Sequence, residues 1–127
     1  MVELSGKYVL VIDDDADLRE SLGAVLGAAG HVFATAIDGL DGLSKLRNDA
    51  RRPCVVLLDL MMPRMSGFEL RSVMKSDPAL SSIPVLVLTG AGPLADRRAS
   101  ELDAEILRKP IEVRQLLAAV ERHCARS

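Results

Sequence analysis

The chain alternates short, continuous apolar runs with longer segments of helical periodicity. Continuous runs of Val, Leu, Ile and Ala are typical of strands that are buried on both faces of a parallel sheet. The runs occupy residues 8–12, 32–36, 54–58, 83–88 and 104–107. Strands that alternate with helices indicate βαβ units, so the pattern predicts an α/β fold with helices on both faces of the sheet.

Local signals mark where several of the helices begin. Asp17 with Glu20 three residues later predicts a capping box for the first helix, and Ser66 with Glu69 predicts one for the third. The second helix is expected to open at Asp38, next to a glycine. The fourth helical segment, around residues 93–102, has the weakest pattern of all.

Composition and charge exclude several classes of function. The 127 residues suit one domain with a core, and 49% apolar residues argue against disorder. A net charge of −2 gives no electrostatic case for nucleic acid or an anionic membrane as partner. Aromatic residues make up only 2%, which argues against a platform for stacking bases.

The sequence also predicts a cytoplasmic protein. No apolar stretch approaches the roughly 20 residues that span a bilayer, and the first residues lack the pattern of a secretory signal. Cys54 and Cys124 are far apart and fit no metal or redox spacing. We therefore expect both cysteines to be reduced and mostly buried.

Candidate chemistry lies at the ends of the apolar runs. The polar residues that follow these runs are Asp13, Asp14, Asp15, Asp59, Thr89 and Lys109. In an open α/β sheet, sites form outside the carboxyl ends of the strands, so these residues are expected to lie together. Two like charges about 4 Å apart repel by about 4 kcal/mol at an effective dielectric constant near 20, so clustered carboxylates need a cation.

Magnesium suits such a site, because it takes one or two carboxylates and completes its coordination with water and phosphate oxygens. Lys109 offers a point charge and Thr89 a hydroxyl donor for a phosphoryl group. Asp59 is then a candidate nucleophile, since carboxylates form aspartyl-phosphates. The residues indicate in-line phosphoryl transfer to Asp59, with charge on the equatorial oxygens neutralised by Mg²⁺ and Lys109.

Four segments taken together identify a family. They are residues 9–15, 57–67, 83–90 and 109–110. Over essentially its whole length the sequence resembles the receiver domain of two-component response regulators, and it is similar to the single-domain chemotaxis type. The resemblance implies a flavodoxin-like, doubly wound five-stranded parallel sheet of order 2-1-3-4-5. We expect one receiver domain over residues 1–127, with a core of about 6–124 and no output domain.

The resemblance also implies a role for each residue of the site. Asp59 is the expected phosphoacceptor, and Lys109 and Thr89 are expected to contact the phosphoryl group. The implied magnesium ligands are Asp13, Asp14, Asp59 and the backbone carbonyl of Met61. A cis peptide bond is expected between Lys109 and Pro110. Asp15 matches no role in the family and is interpreted as a helix cap.

The partners follow from the same resemblance. A histidine kinase or a histidine phosphotransfer protein is expected to phosphorylate Asp59 in the presence of Mg²⁺. The signal is expected to pass to a downstream protein by contact, through the face formed by the fourth helical segment, the fifth strand and the last helix. The domain is not expected to be an enzyme beyond its own Mg-dependent phosphorylation and autodephosphorylation.

The chain departs from the family at Ile106, where receivers usually carry Tyr or Phe three residues before the lysine. Isoleucine cannot repeat the inward movement of an aromatic ring with a polar tip. In addition, Gly90, Gly92 and Pro93 disfavour a regular start for the fourth helix. These features predict an output that differs from the usual one.

Other functions remain open at this stage. A degenerate receiver would serve as a phosphorylation-independent interaction module, a reading that Ile106 supports. A Mg-dependent phosphatase is suggested by Asp13-x-Asp15 but is opposed by Asp17, where that class has Thr or Val. An FMN site would need a phosphate loop where three acids stand, and a calcium loop fails because Leu18 replaces the turn glycine.

Overall fold

The computed structural model describes residues 7–90, 97, 102 and 104–124. The strands are β1 (Val9–Ile12), β2 (Phe33–Ala36), β3 (Val55–Asp59), β4 (Val85–Thr89) and β5 (Glu105–Arg108). The helices are α1 (Ala16–Ala28), α2 (Gly39–Asn48), α3 (Gly67–Ser76) and α4 (Val113–Cys124). Most of the helical segment expected around residues 93–102 lies outside the described residues.

The strands form one parallel sheet in the order β2-β1-β3-β4-β5, which confirms the predicted topology. The neighbours β1 and β3 run in register, with Ile12 opposite Leu58 at their carboxyl ends. The next residues along these strands are Asp13 and Asp59. The register therefore places these two acids side by side at one edge of the sheet.

Each face of the sheet is covered by a separate apolar layer, as the continuous runs predict. On one face, Leu10 and Ile12 pack with α2 and α3 through side chains such as Leu46 and Leu70. On the other face, Val9 and Val11 of β1 pack against Leu26 of α1 and against Leu116 and Val120 of α4. Because β1 and β3 are buried on both faces, they fix the position of the acids that follow them.

The helix caps confirm two of the predicted starts and correct the third. Ser66 and Glu69 form the expected capping box of α3, and Asp38 caps α2. The cap of α1 is Asp15, whose carboxylate accepts hydrogen bonds from the backbone of Asp17 and Leu18. This confirms the interpretation of Asp15 as a helix cap. The capping box predicted for Asp17 and Glu20 was wrong, because Asp15 directly precedes the first turn and its carboxylate reaches the first free N–H groups.

The prediction of reduced cysteines was also wrong, because Cys54 and Cys124 form a disulfide with their Cα atoms 5.2 Å apart. Cys54 precedes β3, and Cys124 ends α4, which packs against the sheet and ends beside the start of that strand. The two cysteines are 70 residues apart in sequence. Their proximity is a consequence of the βα packing, which no local spacing records.

Among the helices that the structure describes, none combines the length and the apolar character that a membrane crossing requires.

Candidate functional site

Three carboxylates converge at the carboxyl edge of the sheet. Asp13, Asp14 and Asp59 each offer an oxygen, and these oxygens lie within 4.8 Å of one another. Asp13 is 0% exposed and Asp59 is 5% exposed, whereas Asp14 faces solvent. The structure thus brings together the three acids that the sequence placed at the ends of the first and third strands.

The segment after β1 is held by hydrogen bonds to its backbone. The amide of Asp13 donates to the carbonyl of Ala36 at the end of β2, at 3.2 Å. The guanidinium of Arg19 in α1 donates to the carbonyl of Asp13 at 2.6 Å. The sequence did not single out Arg19, although its position one turn into α1 lets it reach back to the loop. These bonds fix the backbone of Asp13 at the end of β1.

The two acids after β1 differ in how their carboxylates are engaged. Oδ1 of Asp13 accepts from the amide of Asp15 at 2.9 Å, and Oδ2 lies 3.4 Å from Nζ of Lys109. Within the described part of the chain, the carboxylate of Asp14 has no hydrogen bond or ion pair. Asp14 is therefore the acid most available to a ligand from solvent.

Lys109 connects the strands that carry the site. Its ammonium group lies 3.2 Å from Oδ1 of Asp59 and 3.4 Å from Oδ2 of Asp13. Its own amide donates to the carbonyl of Thr89 at 2.8 Å, which ties the end of β5 to the end of β4. The peptide bond between Lys109 and Pro110 is cis, as expected.

The charges in the cluster perturb one another. Burial, together with the charge of Asp13, raises the pKa of Asp59, and the nearby Lys109 only partly offsets this effect. Burial opposes the charge of Lys109, but Asp59 and Asp13 outweigh it and raise the pKa of the lysine. Perturbed pKa values of this kind are concentrated at functional sites. The arrangement favours binding of a further positive charge.

Thr89 and Met61 occupy the same edge of the sheet. Thr89 is the last residue of β4 and is 2% exposed, with its hydroxyl donating only weakly to the carbonyl of Gly90 at 3.4 Å. Met61 lies two residues beyond Asp59 and is 69% exposed. Both residues are therefore positioned close to the ends of the central strands.

The segment that carries Met61 is a closed loop, residues 60–66, which we call the β3–α3 loop. The amide of Gly67 donates to the carbonyl of Leu60 at 2.9 Å and closes its base. A Cβ atom at Gly67 would overlap the backbone of Asp59 and Leu60, so this close approach requires glycine.

An ion pair beside this loop was missed from the sequence. Asp38, which caps α2 and is 3% exposed, accepts a hydrogen bond from Nε of Arg64 at 2.6 Å, and the same oxygen lies 2.5 Å from Nη2. The pair was missed because the role of Asp38 as a helix cap already explains an aspartate before Gly39, and because Arg64 is 26 residues away in sequence. The only sequence signal for this ion pair is that Arg64 belongs to the motif after Asp59, and that signal is weak.

Ile106, the position at which the chain departs from its family, lies half-buried in β5 opposite Val87 of β4. It packs against the apolar layer that α2 and α3 cover. An aliphatic side chain in this position fills space in the core and offers no polar group to the site.

The donor set fits a hard divalent cation. All the side chains of the acidic cluster are carboxylates, which are the ligands that Mg²⁺ prefers. One of them, Asp14, is exposed and has no ion pair with the described residues. Soft ligands are not part of it, because both cysteines are joined in a disulfide at the opposite end of β3. The residues present therefore fit magnesium better than zinc or copper.

Comparison with known proteins agrees with this fold. The family model described as the response regulator receiver domain matches residues 9–121. The chain belongs to this family.

Its relatives include both short and long proteins. The chain is 32% identical over 120 residues to Protein PilG of Pseudomonas aeruginosa, a match that covers 93% of this chain and 87% of PilG. It is 39% identical over 113 residues to the response regulator MprA of Mycobacterium sp., covering 87% of this chain but only 47% of MprA. The chain thus spans about half the length of MprA and nearly all of PilG.

Solved structures share the fold. The signal receiver domain of a signal transduction histidine kinase from Syntrophus aciditrophicus superposes with a TM-score of 0.85 and 28% identity. This match covers 94% of the present chain and 90% of the other. The same sheet, with helices on both faces, therefore serves as a receiver domain in another signalling protein.

Proposed function

We propose that this receiver domain accepts a phosphoryl group on Asp59 from a histidine kinase or a histidine phosphotransfer protein, in a reaction that requires Mg²⁺. The observation that carries the proposal is the contact of one ammonium group, that of Lys109, with both Asp13 and Asp59. This contact joins a nucleophile, a charge for the phosphoryl oxygens and an acidic cation site at one edge of the sheet.

The proposed transfer is a displacement at phosphorus. An oxygen of the Asp59 carboxylate forms a bond to phosphorus while the bond from phosphorus to the donor's imidazole nitrogen breaks. The electron pair of that bond returns to the nitrogen, and the ring leaves as neutral imidazole when its other nitrogen is protonated. Lys109 and the Thr89 hydroxyl then donate hydrogen bonds to the phosphoryl oxygens. Hydrolysis by water later restores the carboxylate.

The proposed magnesium ligands differ in their readiness to bind. Asp14 and Asp59 are the proposed carboxylate ligands, with the Met61 carbonyl as a further one. Asp13 would contribute mainly its negative charge, because both of its oxygens are already engaged by Asp15 and Lys109. When bound, magnesium supplies positive charge that offsets the acids and the phosphoryl oxygens.

A groove beside Lys109 supports a protein as phosphoryl donor. It has a volume of about 320 Å³ and lies between α1 and the segment that joins β5 to α4. Apolar side chains such as Leu18, Val25 and Ile111 line it, with Asp15 and Lys109 at its polar end. We propose that the donor protein docks here and presents its phosphohistidine to Asp59.

The remaining parts of the proposal concern the whole chain. We propose that residues 1–127 act as a single receiver domain in the cytoplasm. The output passes to a downstream protein by contact, through the face that includes β5 and α4. Phosphorylation biases a two-state equilibrium in the segments after β4 and β5.

Intact mass measurement after incubation with acetyl phosphate and Mg²⁺ tests the proposal. We expect one added phosphoryl group, and we expect it to be absent from Asp59→Asn and from samples that contain a chelator. Asp15→Asn is the matched control, because asparagine is an equally good cap and Asp15 lies outside the acidic cluster. An adduct that persists in Asp59→Asn would contradict the assignment.

A second candidate is an interaction module that works without phosphorylation, and Ile106 favours it because this residue brings no polar group to the site. The same measurement separates the two functions. If the unmodified chain acquires no adduct at saturating Mg²⁺ and donor, the interaction module is the better account.

A further inference from the structure

We propose that the Arg64–Asp38 ion pair positions the β3–α3 loop and thereby sets the affinity of the acidic site for Mg²⁺. Both residues are positioning residues, since they act through the Met61 carbonyl. The inference rests on the proposed function, because it assumes that this carbonyl is a ligand.

Hydrogen bonds within the β3–α3 loop hold its two ends together but do little to fix the residues between them. Gly67 closes the base through its bond to Leu60. Between these points, the amide of Met65 donates to the carbonyl of Pro63 at 2.7 Å, a turn that spans only three residues. The position of the rest of the loop must therefore depend on contacts with another element.

Met62 and Met65 pack against the apolar layer of the sheet, and the start of α2 supplies the polar contacts. The amide of Gly39 donates to the carbonyl of Met65 at 3.1 Å, and a Cβ at Gly39 would overlap Met65. The neighbouring carboxylate, that of Asp38, binds the guanidinium of Arg64 through both Nε and Nη2. A backbone hydrogen bond to Met65 and an ion pair to Arg64 thus attach the middle of the loop to two adjacent residues at the start of α2.

The backbone of Arg64 indicates that its side chain is needed. Its φ angle is 66°, in the left-handed region that costs a residue with a Cβ atom and favours glycine. Such a conformation persists only where the surroundings hold it. The carboxylate of Asp38 is buried and already accepts a hydrogen bond from the amide of Asp41. It is therefore a fixed anchor for the arginine.

The same anchor connects the loop to the acids of β1. Asp38 follows β2 by two residues, and the last residue of β2, Ala36, accepts the hydrogen bond from the amide of Asp13. The end of β2 therefore contacts the Asp13 backbone, and Asp38, two residues later, contacts the β3–α3 loop. A change at Arg64 or Asp38 would alter the distance between the carboxylates and the Met61 carbonyl.

The test uses three variants at the ion pair and one control. Asp38→Asn keeps the cap of α2 but removes the charge. Arg64→Gly removes the side chain and at the same time suits the left-handed backbone, so the fold is retained. Arg64→Lys restores a donor. Arg47→Ala is the control, because it breaks another arginine–aspartate pair of α2, to Asp77, at the far end of the helix.

Titration with MgCl2, followed by amide chemical shifts, measures the dissociation constant without any phosphoryl donor. We expect Asp38→Asn and Arg64→Gly to weaken Mg²⁺ binding about tenfold, the scale of an outer partner of a metal site. Arg64→Lys should recover part of the affinity, and Arg47→Ala should leave it unchanged. Hydrogen exchange of the Gly39 amide should be faster in Arg64→Gly.

The outcomes separate this inference from the proposed function. The positioning role would be overturned if Asp38→Asn and Arg64→Gly had dissociation constants within about twofold of the unmodified chain, well short of the expected change of about tenfold. That result would leave the proposed phosphorylation of Asp59 unaffected. A similar loss in Arg47→Ala would also overturn it, because the effect would then be a general one. If the unmodified chain shows no Mg²⁺ response, both are contradicted.

Discussion

Asp59 is a buried carboxylate whose surroundings favour its neutral form. Its pKa is raised in the folded chain above its ordinary value of 3.8, first by burial and then by the charge of Asp13. A raised pKa stabilises the fold fully below the value in the unfolded chain, and this contribution is lost as the pH rises through the value in the folded chain. Near neutral pH, the ionised carboxylate therefore makes the metal-free fold less stable.

We predict that Asp59→Asn raises the free energy of unfolding at pH 7 by about 1 kcal/mol in the presence of a chelator. The gain should shrink as the pH falls and vanish well below 3.8, where the carboxyl is neutral in both states. Urea unfolding followed by circular dichroism measures it, with Asp15→Asn as control. A variant that is less stable than the unmodified chain at every pH would contradict this account.

Single residues differ in how far the sequence reveals them. Asp13, Asp59 and Lys109 were predictable, because each follows an apolar run and all such ends share one edge of a parallel sheet. The ion pair between Asp38 and Arg64 was not predictable, because pairing between two of 34 charged side chains, 16 basic and 18 acidic, leaves no local pattern. Asp15 was predictable as a helix cap, whereas the capping box expected from Asp17 and Glu20 did not form.

At the scale of elements, two glycines show opposite demands of packing. Gly67 begins α3 against the backbone of β3, where a Cβ has no room. Gly27 lies in α1, where a Cβ would make an ordinary contact with the Phe33 ring at 3.7 Å. Alanine also loses less conformational freedom than glycine when a helix forms.

We therefore predict opposite signs for the same substitution. Gly27→Ala should stabilise the fold by about 0.5–1 kcal/mol, and Gly67→Ala should destabilise it by about 1–3 kcal/mol through overpacking. Chemical denaturation of the two variants side by side provides the comparison. Equal effects would mean that the close approach at Gly67 is relaxed in solution.

The last helix is tied to the sheet by more than apolar packing. The disulfide from Cys124 reaches the start of β3, and Glu121 lies 3.0 Å from Nε2 of His31, which precedes β2. Arg122 and His123 both contact Glu105 at the start of β5. The end of α4 is thus fastened to three elements at the edge of the sheet opposite the acids.

We predict that the disulfide contributes about 2–4 kcal/mol to the free energy of unfolding, as expected for a cross-link that closes a long loop. Cys124→Ser should show this loss without reductant. With reductant, the unmodified chain should match the variant. A thiol assay that finds two free thiols in the unreduced chain, or equal stability with and without reductant, would contradict the cross-link.

Elements and their order were predictable, because continuous apolar runs and helical periodicity are local signals that the strand and helix periods determine. Strand limits differed from the runs by one or two residues, since Tyr8, Cys54 and Ala104 lie just before the strands that their runs predicted. The disulfide was not predictable. It depends on the length and direction of α4, which bring together residues that are remote in sequence.

The whole molecule separates stability from chemistry along the sheet. The carboxyl edge gathers the acids and Lys109, while the opposite edge holds the disulfide and the ion pairs of α4. The disulfide is therefore expected to change the stability of the fold without contacting the acids at the carboxyl edge. The repulsion between the carboxylates at the carboxyl edge, which raises the pKa of Asp59 and favours a bound cation, is the property on which the proposed reaction depends.

That property is tested most directly by following the carboxyl carbon of Asp59 by NMR as the pH is varied, with and without Mg²⁺. We predict a pKa above 3.8 in the chelated chain and a marked fall at saturating Mg²⁺, because the cation favours the ionised form. A pKa that does not change when Mg²⁺ is added would contradict the account.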